Sequence, residues 1–175
     1  MADDVSSRKI LPGLRLSKAT LTYCPIEDRI RLDGLSAGSD TIRLWFTERL
    51  LVRLIQHVIA LAGSTQQGSK RSVKEQAAAL AEESTRPKSV VIHSGSPEIL
   101  ISVIDVKVGA NRLEFTYKDE FGAQHAMLTL PHSEVPLWNQ GLRLCFEHAG
   151  WPLSVFDGNL NSEGPDSQCS AVTVH

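Results

Sequence analysis

Cysteine is scarce. Three residues, Cys24, Cys145 and Cys169, are too few and too odd in number for a disulfide framework. Net charge is also nearly absent. A balance of −2, with lysine and arginine spread along the chain, argues against bulk nucleic-acid binding, which needs a basic face. Long apolar runs are missing too. The longest nearly uncharged one, 54–62, falls far short of the ~20 residues that span a bilayer. The opening Met-Ala-Asp-Asp carries no basic stretch leading into an apolar run, so no signal peptide is expected. These absences point to a cytoplasmic chain with no membrane partner.

What remains is an ordinary globular composition. Hydrophobic residues make up 42% of 175, enough for one core. Residues 1–13 read as a loose polar arm, 64–88 as a polar linker with a possible short helix, and 153–175 as a Ser-, Gly- and Asp-rich flexible tail. Two patterned blocks lie between them, 14–63 and 89–152.

The first block opens with "LRLSKATLTYC", whose alternation changes parity near Ser17–Lys18 and so predicts a bulge. "DRIRLDGL" and "TIRLWF" follow as strands, joined by the turn "SAGSD". Thr47 is a plausible N-cap for a helix over 47–62 that Gly63 would stop. In the second block "SVVIHS", "EILISVIDVKV", "NRLEFTYKDE" and "HAMLTL" predict strands. A helix capped by Ser133 then ends at Gly150, with Trp151 folding back on its last turn. Without gaps, 20–32 overlays 103–115 at a shift of 83 residues. The expected fold is α+β: two β-β-β-α units, a possible internal duplication, forming antiparallel sheet covered by helices.

Candidate chemistry is thin. Cys145 and His148 stand one helical turn apart, half of a zinc site at best; the plainer reading is a core cysteine and a histidine complementing the helix dipole. His125, His132 and Ser133 could be imagined as part of a triad with Asp105 or Glu134, but cap and turn roles account for them. "DGLSAGS" and "IHSGSPE" have the small residues of phosphate-cradling loops without a nucleotide-binding spacing, and read as tight turns. No cofactor, metal or catalytic residue is assigned.

The 47–62 helix is more informative. Its apolar surface spans roughly 200° of arc, wider than the stripe one neighbour covers. The excess predicts a second cover, either within the chain or from a symmetry mate. The expectation is a non-enzymatic interaction or assembly module that self-associates as a homodimer and engages another protein. Its interface residues would be Trp45, Leu50, Leu51, Leu54, Val58 and Leu61. The alternative is a nucleic-acid accessory protein using the sheet arginines Arg29, Arg31 and Arg43, with Lys70 and Arg71 of the linker.

Overall fold

The computed structural model describes residues 13–65, 89–157 and 172–174. The elements, in chain order, are β1 (Leu14–Cys24), β2 (Arg29–Ser36), β3 (Thr41–Phe46), α1 (Glu48–Thr65), β4 (Glu98–Leu100), β5 (Val103–Val108), β6 (Arg112–Lys118), β7 (Gln124–Pro131), α2 (Val135–Ala149), a 3-10 turn (Leu153–Phe156) and β8 (Val172–Val174).

Alternating sequence produces the strands, and the inward set meets in one core. Ile30 and Leu32 of β2, Ile42, Leu44 and Phe46 of β3, and Leu113, Phe115 and Tyr117 of β6 are all buried. Each such side chain stabilises the fold by about 1.5–3 kcal/mol relative to exposure. The parity change in β1 is real: pairing with β2 slips between Leu16 and Lys18.

The sheet order is β4-β3-β2-β1-β7-β6-β5-β8. It is mixed rather than antiparallel, because β1 pairs with β7 and β3 with β4 in parallel. Alternation within a strand cannot distinguish the two pairings. Both parallel ladders join strands far apart in sequence, as parallel pairs must. The sheet also closes. Within 98–108, the Ile101 N–H donates to Trp45 O of β3 and the next N–H, of Ser102, to Lys118 O of β6. One continuous stretch thus serves both ends of the ring β3-β2-β1-β7-β6-β5.

The helices follow β3 and β7. Thr47 Oγ1 accepts the Leu50 N–H at α1's start, but α1 passes Gly63 and runs to Thr65. A glycine stops a helix only when the chain turns left-handed there. Leu50, Leu51, Leu54, Ile55 and Val58 of α1 are buried, the last-named at 1% exposure. The part of the wide apolar arc formed by these five residues is therefore covered within the chain. α2 buries Leu142, Cys145 and Phe146. Gly150 adopts φ 69°, and the Trp151 N–H donates to Phe146 O, so Trp151 folds back as the sequence predicts. Its ring meets Phe146 edge-on at 5.1 Å and Tyr23 at 5.9 Å.

Other expectations change. Ser133 does not cap α2; Glu134 holds that position without a side-chain cap, and Pro136 occupies the first turn. Residues 89–93 form no strand. "EILISVIDVKV" divides at Ile101–Ser102, where the chain transfers from β3 to β6. Part of the expected tail is structured, as the 3-10 turn and as β8 paired with β5. The gapless overlay also breaks. At a shift of 83 residues the pair Tyr23–Ile30 becomes Val106–Leu113, whereas Val106 pairs with Phe115. The registers differ by two residues, which preserves inward parity while altering the turn. Residues 1–12 of the arm and 66–88 of the linker lie outside the described residues.

Candidate functional site

Three turns gather at one end of the ring. The first joins β2 to β3. Ser36 Oγ accepts the Gly38 and Asp40 N–H groups at 3.2 and 3.1 Å, a hydroxyl-stabilised turn that lets Ser39 sit at φ 71°. The second is His93–Ser96, closed by the Ser96 N–H on His93 O at 3.1 Å. Its third residue, Gly95, has φ 86°, which a side chain would oppose. Thr41 ties the two together: its Oγ1 accepts the His93 N–H at 3.3 Å and shares a short hydrogen bond with Ser96 Oγ.

The third turn joins β6 to β7. Asp119 Oδ1 accepts the Phe121 and Ala123 N–H groups, both at 2.9 Å, and Oδ2 meets His125 Nε2 at 2.8 Å. The His125 hydrogen bond is the largest reason that the Asp119 carboxyl lies below its usual range; the two backbone donors add to it. Held in this way, the turn displays Phe121 at 84% exposure.

Between these turns and β4 lies a cavity of about 1010 Å³. Its carboxylates are Asp40, Glu98, Asp119 and Glu120, and among the described residues no lysine or arginine lines it. Leu14, Ile42, Ile99, Leu100 and Phe121 supply apolar surface. This is a broad acidic cleft with an exposed aromatic rim. Both loops considered as phosphate cradles reach it, but the acidic lining opposes an anion, and the Ser36 hydroxyl is occupied by its own turn's amides.

Gly34-Leu35-Ser36-Ala37-Gly38 spells G-x-S-x-G. Here the pentad links two strands, not a strand to a helix, and Ser36 is only 7% exposed. A nucleophile elbow requires the opposite on both counts. Cys145 is buried, its thiol pushed up to about 11 mainly by desolvation, while His148 on the same helix is exposed. That thiol is a poor nucleophile and a poor metal ligand. Among the described residues no group of three or more His, Cys, Asp or Glu is placed to hold a metal ion. Also among them, no helix is long and apolar enough to cross a membrane.

The expected interface residues do not gather on a surface. Leu50, Leu51, Leu54 and Val58 belong to the core. Trp45 is half-buried and its indole N–H donates to Glu98 Oε2 at 3.2 Å; the side chain of Leu61 lies outside the described residues. The three sheet arginines each have a carboxylate partner. Arg29 pairs with Glu27 at 3.7 Å, Arg31 with Asp33 at 3.4 Å, and Arg43 with Asp33 and Glu98 at 2.8 and 3.3 Å. Lys70 and Arg71 lie outside the described residues. Sequence reasoning missed the Asp119–His125 clamp. Its signal was "KDEFGAQH", an aspartate three residues before a glycine, which marks a side-chain-stabilised turn.

No protein-family model matches the chain, and no curated protein and no solved structure is detectably similar to it.

Proposed function

We propose that this chain is a non-enzymatic interaction module that docks a partner protein in the acidic cleft between β4 and the β6–β7 turn. The observation that carries this reading is the combination of size and lining: about 1010 Å³ of open space, four carboxylates and an aromatic rim. Exposed aromatics next to polar groups are the commonest anchors of protein contacts. Leu50, Leu51, Leu54, Ile55 and Val58 of α1 are used within the chain, so self-association through the 47–62 helix draws no support from them. Neutralised arginines likewise lend little to the nucleic-acid reading.

An internal duplication remains part of this reading. Its support is topological: β3-β2-β1 and β7-β6-β5 are neighbouring triplets running the same way, each followed by a helix. The two-residue difference in register requires an insertion or deletion at one hairpin turn.

The test is a selection of random twelve-residue peptides on the immobilised full chain. The same selection is run on a folded variant carrying Leu100→Glu and Phe121→Glu. Peptides enriched on the wild type and lost on the variant support docking in the cleft. Equal enrichment on both, or none on either, overturns it.

A further inference from the structure

Within a parallel ladder, alternate residues of a strand address opposite neighbours. Pro97 O accepts the Arg43 N–H at 2.9 Å and the Ile101 N–H donates to Trp45 O at 2.9 Å, so the odd-numbered residues of this stretch face β3. The backbone N–H and C=O groups of Glu98 and Leu100 therefore face the other way, across the cleft. The next residue on that side is Ser102, whose N–H donates to Lys118 O of β6 at 3.0 Å. There the seam between β4 and β6 is fastened. Ahead of it the two diverge, and β4 stands at the end of the strand order with no described strand on its free side.

The opposite wall cannot fill that gap. The β6–β7 turn uses its polar groups internally: the Asp119 N–H goes to Ala123 O, the Gly122 N–H to Asp119 O, and the Asp119 carboxylate takes the Phe121 and Ala123 amides. What is left, among the described residues, is a short unpaired strand edge inside a cleft. Unpaired edges of this kind are templates for another strand.

The lining states what that strand should carry. Asp40, Glu98, Asp119 and Glu120 face a cleft that no lysine or arginine lines among the described residues, and Leu100 and Phe121 offer apolar contact. Glu98 is partly satisfied by Arg43 and Asp119 by His125, whereas Asp40 and Glu120 are exposed. We propose that an extended peptide of alternating basic and apolar residues docks as an added strand on β4, pairing its backbone with Glu98 and Leu100. This rests on the docking reading above and adds to it both the mode and the partner's chemistry.

The test uses the isotope-labelled full chain and two capped hexapeptides, Lys-Val-Lys-Val-Lys-Val and its glutamate counterpart. Expected are binding of the lysine peptide, none of the glutamate peptide, and slowed hydrogen exchange at the Leu100 amide. Leu100→Pro removes an N–H on the cleft side and none of the bonds to β3, and should weaken binding about tenfold. A second variant, Asp40→Lys with Glu120→Lys, changes only exposed rim positions and should reverse the preference toward the glutamate peptide. Lysine-peptide binding that leaves the Leu100 amide unprotected overturns strand addition. No lysine-peptide binding, or an unchanged preference in the charge-reversed variant, overturns the basic partner. Either failure can occur while the peptide selection still finds cleft-dependent ligands, so it is distinguishable from failure of the docking reading.

Discussion

Arg43 grips Asp33 from the neighbouring strand, Nε to Oδ1 at 2.8 Å and Nη2 to Oδ2 at 3.5 Å, at directly paired positions of β3 and β2. Asp33 is 5% exposed. Arg31 Nε approaches Oδ2 at 3.4 Å without hydrogen-bond geometry, so Arg43 is the main partner. Asp33→Ala would leave two guanidinium groups around an empty acceptor site. The expected loss is about 2–4 kcal/mol of unfolding free energy in urea. A loss below about 1 kcal/mol would mean that water replaces the carboxylate at little cost.

Leu51 decides how α1 is covered. At 2% exposure in the single chain, Leu51→Ala should cost about 2–5 kcal/mol. Leu51→Glu should give an unfolded chain by circular dichroism. A folded Leu51→Glu monomer obtained from a wild-type dimer, seen by light scattering, would place this residue between chains.

Gly141 interrupts α2 where the fold does not need a glycine. A methyl there would meet Leu21 Cδ1 at 3.8 Å, an ordinary contact, and the backbone is helical. Gly141→Ala should therefore stabilise by about 0.5–1 kcal/mol. Thermal melts of the two proteins check the sign.

His57 makes stability depend on pH. Its Nε2 is buried without a partner among the described residues, and desolvation lowers its pKa from 6.5. As pH falls through that ordinary value the unfolded chain takes up a proton that the folded chain resists. Stability should therefore decline below about pH 6.5 and be unaffected by this group at higher pH. His57→Leu should flatten that part of the profile in urea titrations at pH 5–8. An unchanged slope would assign the effect to other groups.

Much of the local structure was legible in the sequence. The bulge at Leu16–Lys18, the inward Ile42, Leu44 and Phe46, and the return of Trp151 onto Phe146 follow from periodicity and end signals. The parallel ladders were not legible, because period-2 alternation reports which face is buried and not which strand lies alongside. For the same reason, the width of α1's apolar arc showed that a second cover exists but not whose it is. The cleft was hidden because its walls come from Leu14 and from positions within 39–42, 93–102 and 119–125, which only the closed ring brings together. Its individual turns were visible; their meeting was not.

The ring has a consequence for how the chain holds together as an object. Material before Thr65 contributes β1 to β3 and α1, and material after Ser89 contributes the rest. Each portion clasps the other twice, through β1 with β7 and through β3 with β4. Covalent continuity across 66–88 is therefore not what joins them. Fragments 1–65 and 89–175 produced together should reassemble into one complementing pair, while neither alone can shut its hydrogen-bonded circle.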